Sequence, residues 1–130
     1  MTRRCLILVV ASVWLHASAG VSAHHSFAAE FDASKPVSIT GTVTRIEWMN
    51  PHAWFYVDVT SGAEVVNWGM ELGSPNGLMR AGWQRDSMKP GDIVTVEGFG
   101  ARRRDRIVKA QVVILAGTGQ RLFAASSLGQ

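Results

Sequence analysis

The segment Gly73-Ser74-Pro75 is the one place where a chain written almost entirely in strand period asks for a helix. A serine hydroxyl at the N-cap can accept from an otherwise unpaired backbone N–H. Proline suits the first helical position, where a missing N–H costs nothing. The spacing predicts a short helix over 75–83, with Leu78, Met79 and Trp83 toward the core. Gly77 and Gly82 weaken it, so it needs tertiary support. Three strand-like segments precede this helix and two follow, with a short sixth at 121–123. That order predicts an all-β protein: a small OB-fold-like barrel of five to six strands with one short helix between the third and fourth. An SH3-like barrel is the main alternative, and the helix argues against it.

The strand segments carry their own geometry. In the first, 37–48, Val37, Ile39 and Val43 lie in one phase while Ile46 and Trp48 lie in the other. A period of two that switches phase within one strand implies a bulge or sharp bend. Gly41 is a natural place for curvature. Asn50-Pro51 breaks the strand. The second, 52–59, alternates: Ala53, Phe55, Val57 and Val59 form one face, and His52, Trp54, Tyr56 and Asp58 the other. The third covers 64–72, with Val66, Trp68, Met70 and Leu72 in phase. Lys89-Pro90-Gly91-Asp92 has the proline and glycine of a type II turn. The fourth and fifth strands, 93–99 and 107–115, flank an arginine-rich loop.

The first residues are not domain material. Arg3 and Arg4 precede the apolar run Cys5–Leu15, and "HASAGVSA" follows it. This three-part pattern is that of a secretory signal peptide, and the run is short for a bilayer span. The expected division is a leader over 1–23, an N-terminal arm over 24–35 and a barrel over 36–130, in the periplasm or secreted, with no transmembrane segment in the mature chain. A cut after Ala23 makes His24 the terminal residue; a cut after Ala19 competes with it. Loss of the leader removes Cys5, the only cysteine, so no disulfide is expected. Loss of Arg3 and Arg4 lowers the formal net charge from +3 to +1. A near-neutral chain gives no electrostatic case for nucleic acid.

The segments "HHSFAAEFD", "NPHAWF" and "ELGSPN", with "KPGDIVTVEG" and the closing "RLF", resemble an uncharacterised family of small exported bacterial proteins, a domain of unknown function. The resemblance spans essentially the whole mature chain. It implies export and a small β-barrel, and it supplies neither a reaction nor a ligand.

Three histidines remain after processing: His24, His25 and His52. A terminal His24 offers its amine and ring nitrogen to one metal ion; alternatively the amine, the His25 amide and the His25 ring do so. Nitrogen-rich chelation suits Cu(II), the strongest binder of the divalent series. His52 supplies a further imidazole if the arm folds back over the second strand. The plainer reading makes the pair solvated residues at a frayed terminus and His52 a turn cap. A second candidate is an aromatic ligand face of Trp48, Trp54 and Tyr56, edged by Arg102 and Arg103, for a small ligand, a glycan or an envelope partner protein. Packing for the aromatics and solvation for the arginines are the plainer readings. Enzyme chemistry has little support: there is no nucleophile elbow and no phosphate loop. Glu47 and Glu71 are possible carboxylate partners, with nothing in the spacing to say they meet.

Overall fold

The computed structural model describes residues 27–124. Its elements are α1 (Phe27–Glu30), β1 (Phe31–Glu47), β2 (Trp54–Ser61), β3 (Glu64–Glu71), α2 (Pro75–Arg80), β4 (Ile93–Ala101), β5 (Ile107–Leu115) and β6 (Arg121–Phe123). Hydrogen-bonded neighbours run β3-β2-β1-β4-β5-β6, and β3 also pairs with β5. That last contact is parallel and only three residue pairs long: Gly69 with Ile107, Met70 with Val108, and Glu71 with Lys109. It joins the two ends of a five-stranded sheet into a partly closed ring, the OB-like barrel expected from the element order. None of the described helices is long and apolar enough to cross a membrane.

Closure requires β1 to serve two neighbours, and its length and bend allow this. Residues 42–47 pair with β2, and residues 36–42 pair with β4. The register against β2 slips between Val43 and Arg45, so Thr44 is the bulged residue that the phase switch demanded. At Gly41 an added Cβ would sit 2.6 Å from the Asp58 carbonyl oxygen, so only glycine permits this approach. The Lys89–Asp92 turn closes as expected, with Gly91 at φ 94° and the Asp92 carboxylate accepting from the Lys89 amide at 2.9 Å.

The interior follows the period-two pattern. Phe55, Val57, Met70, Val94, Val96, Val108 and Val113 are fully buried within one cluster. The segment from α2 onward adds Leu78, Trp83 and Met88. Ser74 caps α2 by accepting from the Gly77 amide at 3.2 Å. The helix is shorter than expected, ending at Arg80, and Gly82 takes a left-handed φ of 95° just beyond it. Trp83 then turns inward and donates its indole N–H to the Phe123 carbonyl at 2.8 Å.

One difference from the sequence expectation matters for the site. Residues 31–35, expected in a separate arm, belong to β1, and Phe31 pairs with Ala101 before the register shifts to Pro36 and Phe99. "DASKP" has no apolar alternation to announce a strand. It is held instead by Asp32, whose carboxylate accepts from the Ser34 amide at 3.0 Å and hydroxyl at 2.7 Å.

Gly98 is the tightest point of the β4–β5 pair: a Cβ there would collide with the Lys109 carbonyl oxygen, beside a register shift at Glu97/Gly98. Gly98→Ala is expected to cost about 1–3 kcal/mol, the usual range for overpacking. Urea denaturation reads it as a lower midpoint with unchanged slope.

Candidate functional site

Met70, Leu72, Val108 and Ala110 turn into the barrel, so Glu71 and Lys109, between them in sequence, turn outward. Outward on a small barrel normally means solvated. Here Glu71 is 3% exposed and Lys109 7%. The two are register partners across the parallel seam, and Lys109 Nζ lies 2.7 Å from Glu71 Oε1. Nζ also donates to the Leu72 carbonyl at 3.3 Å and sits 5.9 Å from the centre of the Phe31 ring.

The cover over this pair comes from the start of the described chain. Phe31 is 2% exposed. Phe27 stacks on Phe31 at 5.9 Å between ring centres and meets Phe99 edge-on at 5.7 Å. Phe99 is itself the β4 register partner of Lys109. The arginine loop holds this cover down. The Arg102 amide donates to the Glu30 carbonyl (2.8 Å), its Nε to the Ala28 carbonyl (2.9 Å) and its Nη1 to Asp32 (3.2 Å). Arg104 pairs with Glu30 at 3.4 Å. The Ser34 hydroxyl and amide, with Arg102 nearby, hold the Asp32 carboxyl below the usual carboxylate value.

His52 stands at the lip of the buried pair. Ala53, its neighbour, extends the β2–β3 ladder by two backbone hydrogen bonds of 2.9 Å, to Gly73 and from Leu72. This brings the His52 ring beside the end of β3, with Nδ1 2.7 Å from Glu71 Oε1 and its side chain 42% exposed. Glu71 Oε1 is therefore shared between the Lys109 ammonium and the His52 ring. A carboxylate behind Nδ1 is the usual support of a metal-ligating histidine.

Trp54 and Tyr56 lie on the same outer face. They are the register partners of Glu71 and Gly69. Gly69 has no side chain, and the space above it is taken by Ile107, Tyr56 and Trp54, whose nearest atoms would lie 2.8, 3.4 and 3.7 Å from a Cβ built there. Arg45 lies over the Tyr56 ring at 4.1 Å and Arg104 over Trp54 at 5.9 Å. The Tyr56 hydroxyl donates to Glu47 at 3.4 Å. Trp48 is elsewhere: it packs on the core and meets Trp83 edge-on at 6.4 Å, with Arg85 over its ring at 5.8 Å. The structure thus brings His52, Trp54 and Tyr56 together and leaves Trp48 out. Arg102 is engaged with α1, and Arg103 is exposed. His24 and His25 lie outside the described residues. Among the described residues no group of three His, Cys, Asp or Glu side chains is arranged to hold a metal ion.

Sequence reasoning weighed Glu71 without a partner and missed Lys109 altogether. The available signal was two opposite charges, each set in an otherwise apolar strand end: "WGMEL" and "IVKAQVVIL".

Removing one member of a buried ion pair strands the other charge. Lys109→Met is expected to destabilise the fold by about 3–5 kcal/mol, whereas Glu71→Leu with Lys109→Met should recover most of that loss. Denaturant titrations of the three proteins measure it.

No curated protein matches the chain. Residues 11–108 match a family of unknown function, DUF6152. The match takes in His24, His25, His52 and Glu71 and stops one residue before Lys109. With about three quarters of its length inside that match, the chain belongs to the DUF6152 family.

Proposed function

We propose that this protein is an exported, periplasmic binding module for Cu(II) or a similar divalent metal, held by His52 together with the mature N-terminal His24 and His25. The observation that supports the reading is the 2.7 Å approach of His52 Nδ1 to the buried Glu71 carboxylate, since a carboxylate beside one ring nitrogen is the usual support of a metal-ligating histidine. The remaining donors are a terminal amine and imidazoles, a nitrogen-rich set that suits Cu(II) and offers little to hard cations. The chain makes the meeting feasible. Phe27 follows His25 by two residues, a reach of about 7 Å at most. Phe27 in turn packs on Phe31, which covers Lys109 and Glu71, the group that holds His52.

A metal-free interaction module is the second reading, supported by the half-buried Trp54–Tyr56 pair on the same face. Its weakness is that both rings already cover Gly69 and carry guanidinium groups over them.

Titration of Cu(II) into the exported protein separates the two. One equivalent is expected to bind. His52→Ala should weaken it by about 10–100-fold or more, the scale on which even supporting residues of metal sites act. The paired change His24→Ala and His25→Ala should abolish it, and Trp54→Ala should leave it unaltered. Unchanged copper affinity without His24 and His25 contradicts the proposal.

A further inference from the structure

We infer that residues 27–35 form a strap that lifts from the barrel as a unit, turning on 32–35, and so governs when the buried Glu71–Lys109 pair meets solvent. The inference does not depend on a metal at His52. The strap has the marks of a separate cooperative unit. Phe31 is 2% exposed, yet it lies outside the core cluster that joins the strands. The other side chains of the strap are exposed or half-buried. α1 is a single turn and buries no residue. Beyond the Phe31–Ala101 pair the ladder to β4 breaks and resumes only at Pro36–Phe99, so Asp32 to Lys35 stand opposite Gly100 alone. Segments with few buried apolar contacts and exposed hydrogen bonds open at lower free energy than the fold they rest on.

The fastening of the strap is largely ionic and wet. The Arg102 amide donates to the Glu30 carbonyl at 2.8 Å, and its Nε to the Ala28 carbonyl at 2.9 Å. Arg102 meets Asp32 at 3.2 Å and Arg104 meets Glu30 at 3.4 Å, through guanidinium side chains that are 43% and 50% exposed. Exposed pairs of this kind are weak and are screened by salt. Beneath them lies a dry pair, with the Phe31 ring 5.9 Å from the Lys109 ammonium. Lifting Phe31 lets water reach that ammonium, which relieves the desolvation that burial imposes on it. The seam below has bonds of its own, among them the one from the Gly69 amide to the Arg106 carbonyl at 2.9 Å. The strap can therefore open while the ring stays closed.

The test follows amide hydrogen exchange and lysine acylation in the exported protein. The Arg102 amide reports the strap, and the Gly69 amide reports the seam. The lysines of the chain are Lys35, Lys89 and Lys109; the first two are exposed, and Lys109 is the covered one. After correction for intrinsic rates, the Arg102 amide should exchange at least about tenfold faster than that of Gly69. Acylation of Lys109 should keep pace with the Arg102 amide. Arg102→Ala removes the side-chain contacts and keeps the amide. It should speed exchange at 102 and acylation of Lys109 by about tenfold, the scale of a lost charge-assisted hydrogen bond, with Gly69 unchanged. Raising the salt to about 0.5 M should act in the same direction. Equal protection of the two amides overturns the inference, as does acylation of Lys109 that keeps pace with Gly69. An Arg102→Ala chain that unfolds outright also overturns it, because the strap then belongs to the cooperative unit of the barrel.

Discussion

The Glu71–Lys109 pair is the interaction on which the rest of the structure turns. It lies at the three-residue contact that makes a ring of an open sheet. It is buried, and burial of two charges is expensive: their desolvation is recovered only when geometry is good and every remaining donor and acceptor is satisfied. Those conditions are met here. Lys109 has a carboxylate, a carbonyl and an aromatic face, and Glu71 has Lys109 and His52. An apolar pair of similar volume would close the barrel at least as well. What such a pair could not do is meet the His52 ring at Nδ1, as Glu71 does at 2.7 Å.

The barrel puts this pair on its outside, not in its core. Alternation along β3 and β5 sends Met70, Leu72, Val108 and Ala110 inward, and it obliges Glu71 and Lys109 to face out. Enclosure is then supplied by a different part of the chain. Phe27 and Phe31 close over the seam, and Arg102 ties the backbone of α1 and the carboxylate of Asp32 to the loop between β4 and β5. The loop that looked like a solvated basic patch is therefore a fastening. Trp54 and Tyr56 are placed by the same logic: they fill the gap over Gly69 beside the closing contact.

Much of this was legible in the sequence where the cause is local. Ser74-Pro75 announced α2, and the phase change before Ile46 announced the bulge at Thr44; Gly41, read as a place for curvature, proves to be a close approach to β2. The clean alternation of 52–59 placed His52, Trp54 and Tyr56 on one face. What escaped was set by contacts distant in sequence. Periodicity shows that Lys109 faces away from the core, but not that Phe31, 78 positions earlier, folds over it. The start of β1 was hidden because "DASKP" is held by an Asp32–Ser34 turn and by Arg102 instead of by an apolar pattern. Trp48 was grouped with Trp54 by residue type. It lies one residue past the end of β1 and packs on the core, edge-on to Trp83.

The central claim is that the processed N-terminus and His52 share one metal ion, so the most direct measurement is the intact mass of the exported protein, taken under native conditions with and without copper. The account predicts a chain beginning at His24 that gains the mass of a single copper ion and loses it on chelation. A chain that begins at Gly20, or one that begins at His24 and takes up no copper, would contradict it.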